Sequence, residues 1–151
     1  MVEDARSRGA RVLCGGEVPD GPGAFYPATA VDEVTPAMRL WAEEAFGPVA
    51  TIIRAESADE ALRLANDSPF GLGANVWAED PDEQEQFIDG FEAGMVFVNG
   101  MVTSFPELPF GGVKRSGYGR ELSAQGIRAF CNAKTVWVGK SGSADASTKT
   151  E

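Results

Sequence analysis

The segment Leu108–Glu121 constrains the fold of this 151-residue chain more than any other. It holds four glycines, one proline and three cations, with two aromatic residues between them. A glycine inside a helix or strand costs about 0.5–1 kcal/mol relative to alanine, and proline lacks a backbone donor, so the segment cannot form a regular element. Glycine does permit positive φ angles and close backbone approach. Two interpretations are open: a folded wall against a ligand or another subunit, and a mobile surface loop.

Charge and hydropathy exclude several kinds of partner. The net charge is −10 and no basic stripe is present, so we expect no nucleic-acid partner. No apolar run reaches the roughly 18–20 residues that span a bilayer, and the first residues lack the apolar core of a signal peptide, so we expect no membrane partner. Cys14 and Cys131 form no disulfide framework, which favours a cytoplasmic protein.

The chain contains no histidine, which limits the chemistry it can perform alone. A Ser-His-Asp triad, a Cys-His pair and a histidine zinc site are excluded within it. Two cysteines cannot complete an all-thiolate zinc site, so no metal site is predicted. We interpret Cys14 and Cys131 as small buried residues rather than reactive thiols.

Two helix starts are clearly marked. Ser57 and Glu60 form a capping box that predicts a helix over Ala58–Asn66. Asp80 before Pro81 predicts a second helix that ends near Gly94 and buries Phe87, Ile88 and Phe91. Further predicted helices cover 3–9, 35–41 (with Thr35 as the N-cap) and 120–130, and predicted strands cover 10–14, 25–34, 51–54, 75–78, 95–99 and 134–139.

This alternation of strands and helices indicates an α/β architecture with a parallel component. The continuous apolar run Met95–Asn99 is typical of a strand that is covered on both faces.

Three motifs, taken in order, resemble the C-terminal part of the aldehyde dehydrogenase superfamily. They are Glu43–Val49, Ala65–Ala74 and Leu108–Glu121, with Ala93–Asn99 between the second and the third. The resemblance covers about residues 5–139. Within the superfamily, Pro106–Gly112, Ser116–Ser123 and Phe130–Trp137 are most similar to bacterial NAD(P)-dependent succinate-semialdehyde dehydrogenases.

The resemblance implies a particular organisation of the chain. Residues 1–133 would form the C-terminal portion of the catalytic domain and the helix that follows it, with a largely parallel sheet and flanking helices. Residues 134–139 would form an oligomerisation strand, and residues 140–151 a disordered tail. The implied partners are a small aldehyde substrate and either further copies of this chain or a complementing aldehyde dehydrogenase chain.

The family oxidises aldehydes by attack of a cysteine thiolate, hydride transfer to NAD(P)⁺ and hydrolysis of the thioester. The segments that carry its nucleophile, its general base and its dinucleotide fold precede the part that this chain resembles. Gly117 and Gly119 are followed by Leu122 where a Gly-x-Gly-x-x-Gly motif needs a third glycine. We therefore assign no catalytic residue and expect the isolated chain to be inactive. The alternative is a non-catalytic interaction module that associates with a full-length paralogue.

Four residues of the chain match binding positions of the family. The resemblance implies that Glu44 accepts hydrogen bonds from the nicotinamide ribose and that Phe46 contacts the nicotinamide end of NAD or NADP. Phe110 would line the aldehyde tunnel, and Ser104 would bind the distal carboxylate of succinate semialdehyde. Without the resemblance, Glu44 and Phe46 are an exposed glutamate and a core phenylalanine before a turn.

Several neighbouring residues are given structural roles. Lys114, Arg115 and Arg120 could bind the same carboxylate, but we favour a role in holding the glycine-rich segment and the following helix. Asn99 is interpreted as a structural residue that holds its loop by side-chain hydrogen bonds. Glu43 is interpreted as a solvated charge.

Overall fold

The computed structural model describes residues 1–139. Its helices are α1 (Val2–Ser7), α2 (Arg39–Ala42), α3 (Ala58–Asn66), α4 (Pro81–Gly90) and α5 (Ser123–Ala129). Its strands are β1 (Arg11–Cys14), β2 (Thr29–Asp32), β3 (Val49–Thr51), β4 (Phe70–Gly71), β5 (Ala74–Val76), β6 (Val96–Val98) and β7 (Val113–Lys114). None of the helices in this range is long and apolar enough to cross a bilayer.

The strands form three small sheets. In the first, β2 lies between β1, its antiparallel neighbour, and β3, its parallel neighbour. The second sheet pairs β4 with β7 in antiparallel orientation. The third pairs β5 with β6 in parallel, and α4 supplies the crossover between them. The predicted α/β class is confirmed, with its parallel component at β2–β3 and β5–β6.

Local side-chain capping fixes two helices where the sequence predicts them. Ser57 accepts a hydrogen bond at 3.2 Å from the backbone N–H of Glu60, and α3 covers the predicted residues. Asp80 accepts one at 2.9 Å from the N–H of Asp82, and α4 begins at Pro81. Each cap satisfies a donor that the first helical turn leaves unpaired.

Two details of the predicted helices are wrong. The Thr35–Pro36 sequence does not open a helix, because the N–H of Met38 bonds to the carbonyl of Thr35 in a turn at 3.0 Å and α2 begins later. On α4, Ile88 is 48% exposed, whereas Phe87 is buried. The buried stripe is therefore narrower than the spacing of apolar residues predicts.

The apolar core belongs mainly to the first sheet. Residues from α1, the turn after it, β2 and the segment before and within α2 pack together and are almost inaccessible to solvent: Val2, Ala5, Ala10, Val31, Val34, Met38 and Leu40. Later in the chain, Val76 and Phe87 are the only apolar side chains of the described residues that reach a comparable degree of burial.

The end of the described chain lies outside every sheet. Residues 134–139 form neither a helix nor a strand, and Trp137 is 85% exposed. The strand predicted for Lys134–Gly139 is thus not formed within a single copy of this chain, because no neighbouring strand pairs with it. Its pairing with another subunit remains a prediction. The predicted disordered tail, residues 140–151, lies outside the described residues.

Candidate functional site

The glycine-rich segment is a folded wall. Backbone hydrogen bonds in both directions, at 2.9 and 2.7 Å, join Phe110 to Glu121 and close the segment at its two ends. A Cβ placed on Gly112 would lie 2.6 Å from the Cβ of Ser116 and 3.1 Å from the carbonyl oxygen of Gly71, which is too close for a real side chain. Among the four glycines, only Gly117 has a positive φ. Close approach therefore explains Gly111 and Gly112, and positive φ explains Gly117. The backbone bonds that close the segment contradict the mobile-loop interpretation.

Two cations of this segment serve as structural anchors. The ammonium group of Lys114 donates to the carbonyl of Asn66 at 2.7 Å and pairs with Glu92 at 2.7 Å. The guanidinium of Arg115 lies 5.6 Å from the centroid of the Phe70 ring, within the range of a cation–π contact. These contacts tie the segment to the last residue of α3, to Phe70 beyond it and to Glu92 after α4. The structural interpretation of these cations is confirmed.

A cavity of about 520 Å³ lies between β6 and this wall, and we call it the aromatic cavity. Its apolar lining includes Phe97, Phe105 and Phe110, and the first two rings stack with centroids 6.3 Å apart. Its polar lining is Thr103, Arg120 and Gln125. The predicted tunnel residue Phe110 thus faces a cavity, whereas Ser104 is exposed and is not part of the lining.

Arg120 contributes to both the wall and the cavity. One of its terminal nitrogens, Nη1, donates to the carbonyls of Gly112 and Gly119 at 2.7 and 2.8 Å. These bonds fix the direction of the guanidinium, and the side chain also lines the aromatic cavity.

Glu44 lines a second cavity of about 520 Å³, together with Trp41, Ser68, Phe70, Arg115 and Ser116. Its carboxylate has no hydrogen-bond or ion-pair partner within residues 1–139, so both oxygens are available as acceptors. Glu43 differs, because the guanidinium of Arg39 donates two hydrogen bonds to its carboxylate at 2.9 and 2.7 Å. These bonds lower the pKa of the Glu43 carboxyl. The solvated charge predicted for Glu43 is therefore half of a surface ion pair.

Phe46 lies away from Glu44 in the described chain. It is 93% exposed and lines a third, largely apolar cavity of about 660 Å³ beside Phe25 and Tyr26. The predicted cofactor residues thus flank different cavities, and neither of these cavities is the one that holds Phe110. An acceptor carboxylate and an exposed ring suit a ribose diol and a flat heterocycle respectively. Within residues 1–139, no cluster of side chains has the composition of a metal site.

The side chain of Asn99 bonds to the backbone of Ala78, just beyond the end of the third sheet. With φ at 52°, Asn99 turns the chain out of β6, and its side-chain amide accepts from the N–H of Ala78 at 3.0 Å and donates to the carbonyl of Ala78 at 2.9 Å. The predicted structural role is confirmed.

Both cysteines are exposed, so the prediction that they are buried is wrong. Cys14 ends β1, a strand at the edge of its sheet, and Cys131 follows the last helix. Their sulfurs lie near backbone carbonyls of Ala28 and Ile127, at 3.7 and 3.5 Å. Their places at an edge and beyond a helix explain the exposure.

The sequence analysis missed Asp32, the fully buried carboxylate at the end of β2. Arg11 and Arg54 donate to it at 2.8 and 2.6 Å, and these two bonds lower its pKa to about 2. Since Arg11 begins β1 and Arg54 follows β3, one carboxylate joins all three strands. An acid in a central strand with an arginine beside each neighbouring strand is a signal that could have identified it.

The comparisons with known proteins identify the class of this chain. The model of the aldehyde dehydrogenase family matches residues 1–136, and the chain belongs to that family. It is 61% identical over 146 residues to the succinate-semialdehyde dehydrogenase [NADP(+)] of Mycobacterium avium, an alignment that covers 97% of this chain.

Solved structures agree with this. The succinic semialdehyde dehydrogenase of Streptococcus pyogenes, in complex with NADP⁺, superposes with a TM-score of 0.86 at 39% identity over 91% of this chain and 30% of that one. The betaine aldehyde dehydrogenase of Staphylococcus aureus, in complex with NAD⁺, gives 0.79 at 35% identity over 85% of this chain and 26% of that one. The chain spans about three tenths of the length of the curated relatives, 31% for the M. avium protein.

Proposed function

We propose that this chain forms the aldehyde-side wall and part of the nicotinamide-ribose site of an NAD(P)-dependent aldehyde dehydrogenase that oxidises succinate semialdehyde to the acid. The observation that carries the proposal is the aromatic cavity beneath a locked glycine-rich wall, in a chain 61% identical to a succinate-semialdehyde dehydrogenase. Phe110 would supply shape selection in that cavity, and Ser104, on the adjoining loop, would contact the distal carboxylate.

The cofactor side of the proposal depends on Glu44 and Phe46. The unpartnered carboxylate of Glu44 lines a cavity beside hydroxyls and a cation, a setting that suits a ribose diol. Phe46 offers an almost fully exposed ring to the nicotinamide. NAD or NADP, when bound, supplies the hydride acceptor. Relatives named for NADP⁺ and a solved structure with NAD⁺ keep both cofactors within the proposal.

The nucleophilic thiolate of the reaction would come from polypeptide outside this sequence. Cys14 and Cys131 have no histidine partner anywhere in the chain, and neither thiol lines the aromatic cavity. We therefore expect the isolated chain not to reduce NAD(P)⁺. A non-catalytic module that associates with a full-length paralogue is the second candidate, and the exposed apolar residues of 136–138 favour association.

A chimera tests the catalytic proposal. This chain would replace the matching segment of the M. avium relative, and NADPH formation with succinate semialdehyde would be followed. We expect the chimera to be active and the chain alone to be inactive. Glu44→Gln should weaken NADP⁺ use more than tenfold, because a charge-assisted hydrogen bond contributes about 1.5–3 kcal/mol. Glu43→Gln, which changes the neighbouring acid in the same way, is the control, and equal effects of the two changes would contradict the assignment.

Light scattering tests the partner proposal. Trp137 and Val138 are each 85% exposed, and large exposed apolar groups in sequence are costly in water. We expect self-association at micromolar concentration that is lost when Lys134–Gly139 is deleted. A monomer whose mass does not depend on concentration, with or without this segment, would contradict the role of residues 134–139 as an oligomerisation strand.

A further inference from the structure

Asp32 is a charged side chain with no access to solvent. Arg11 and Arg54 donate to the same carboxylate oxygen, Oδ2, at 2.8 and 2.6 Å. The other oxygen, Oδ1, accepts from the backbone N–H of Glu33 at 2.9 Å. A buried ion pair is often no more stabilising than well-packed apolar residues, and its best-attested role is to fix register. Geometry is therefore a better explanation of this cluster than stability.

The cluster lies at one end of the strand pair β2–β3. Arg54 follows β3, and its bond to Asp32 ties together the carboxyl ends of these two parallel strands. At the opposite end, the N–H of Thr29 donates to the carbonyl of Pro48 at 2.8 Å. A slip of one residue would move β3 by about 3.3 Å along its axis and turn its side chains to the other face of the sheet. The bonds at both ends thus hold β3 in one register.

The segment before β3 carries the two proposed cofactor residues, Glu44 and Phe46. The N–H of Gly47 donates to the carbonyl of Ala45 at 2.9 Å, and the N–H of Val49 donates to the carbonyl of Gly47 at 2.8 Å. These tight turns connect Phe46 directly to the strand. The Phe46 ring is almost fully exposed, and the Glu44 carboxylate has no partner within residues 1–139. The positions of both side chains therefore depend on the backbone on either side of them.

The helix α2 anchors the other end of this segment. The N–H of Glu43 donates to the carbonyl of Arg39 at 2.9 Å, and the two side chains form the ion pair described above. The segment is thus held between an anchored helix and β3. Its second anchor is only as fixed as the register of β3.

We infer that Asp32 and Arg54 are positioning residues for the cofactor site, because their bond fixes the register of β3 and thereby the placement of Glu44 and Phe46. The inference rests on the proposed function, from which it takes the cofactor contacts of these two residues. The bond between Asp32 and Arg11 has a different consequence. It joins β2 to β1, the edge strand on the other side, which does not lead to the cofactor segment.

The two arginines provide a matched pair of variants in the chimera. Arg54→Gln removes the link to β3 and keeps the bond of Arg11 to Asp32, whereas Arg11→Gln does the reverse. Both guanidinium groups are largely exposed, so both variants should fold. We expect Arg54→Gln to raise KM for NADP⁺ about three- to tenfold, because small misplacements of binding groups are costly, and to leave KM for succinate semialdehyde within about twofold. Arg11→Gln should leave both KM values within about twofold.

Two further measurements distinguish positioning from a loss of stability. The Kd for NADPH, measured by the fluorescence of the bound nucleotide, should rise in Arg54→Gln about as much as KM for NADP⁺. The midpoint of thermal unfolding should fall by similar amounts in the two glutamine variants, since each loses one bond to the same carboxylate. Arg54→Lys can still make a single charge-assisted bond to Asp32, so it should keep the Kd for NADPH within about threefold of the wild-type value.

The outcomes separate this inference from the proposed function. Equal rises of KM for NADP⁺ in Arg54→Gln and Arg11→Gln would show that the cluster acts only through stability and would overturn the inference, as would no rise in either variant. If Glu44→Gln leaves NADP⁺ use unchanged, the cofactor assignment and this inference fail together. If Glu44→Gln weakens NADP⁺ use and Arg54→Gln does not, the inference alone fails.

Discussion

The N-terminal region (residues 2–51) and the glycine-loop region (residues 58–129) are stabilised by different means. The first contains almost all of the buried apolar residues, packed between α1, β2 and α2. The second contains only two apolar side chains at similar burial, Val76 and Phe87, and the residues of its strand β6 are all half-buried. The N-terminal region thus resembles a small conventional core, and the glycine-loop region does not.

Close backbone packing and polar bonds hold the glycine-loop region together. The side-chain amide of Asn66 donates to Gly90 at 2.7 Å and accepts from Glu92 at 2.9 Å, which fixes the end of α4 against α3. Gly112 lies against Ser116 with no room for a side chain. Such contacts define a shape without burying much apolar surface. The difference shows that backbone packing and polar bonds can hold a region together. Its apolar side chains then remain exposed to a cavity or a partner instead of being used up in a core.

The largest expected effect tests the apolar side of this comparison. Met38 lies in the N-terminal region and is 4% exposed. Its change to alanine should lower the free energy of unfolding by about 2–5 kcal/mol, because a buried cavity is left behind. Met101, 70% exposed in the glycine-loop region, should cost no more than about 0.5 kcal/mol for the same change. Urea unfolding followed by circular dichroism measures both. Similar losses at the two positions would remove the distinction between the regions.

A glycine pair tests the backbone side. Gly112→Ala should destabilise the chain by about 1–3 kcal/mol, because its Cβ would meet the Ser116 side chain and the Gly71 carbonyl. Gly119→Ala in the same segment meets open space at a negative φ, so it should be neutral or stabilise by up to about 1 kcal/mol. The midpoints of thermal unfolding should therefore shift apart. If both variants melt like the wild type, the wall is not held by close packing.

The smallest expected effect is a loss of folding stability at acid pH, and we expect it to come from Asp32 in the N-terminal region. Arg11 and Arg54 lower the pKa of Asp32 from 3.8 to about 2, so its ionised form stabilises the folded chain at neutral pH. That contribution is complete above the unfolded pKa and is lost as the pH falls from about 4 through about 2. Urea unfolding at a series of pH values should show a steeper decline for the wild type than for Asp32→Asn. Asp20→Asn, at an exposed loop acid, is the control and should follow the wild-type curve.

Local chemistry made part of the fold predictable. The Ser57 cap is formed by atoms three residues apart, so no distant contact is needed to set the start of α3, and the same holds for Asp80 and α4. The roles of Asn99 and Lys114 were also predictable, because amides after strands and cations among glycines commonly bond to nearby backbone.

Tertiary context decided the rest. Ile88 fits a helical stripe in sequence, yet it is 48% exposed, whereas Phe87 beside it is buried. The pairing of Asp32 with Arg54 joins residues 22 positions apart, a separation at which periodicity carries no information. For the candidate site, Phe110 could be placed by its motif. Thr103 and Gln125 enter the aromatic cavity only because β6 and α5 flank the same wall.

The two bonds between the Asn99 side chain and the Ala78 backbone separate the 100–107 loop from the third sheet, so the sequence of this loop can vary without disturbing the sheet. Asn99 fixes where the loop leaves β6, and a backbone bond at 2.9 Å from Ser123 to the carbonyl of Pro106 fixes where it returns. Between these two anchors lie Thr103 and Phe105, which face the cavity. The residues of the loop can therefore be exchanged to remodel the cavity wall while the sheet keeps its register. The two anchors fix where the loop lies beside the cavity, and we expect its side chains to determine which molecules the cavity admits.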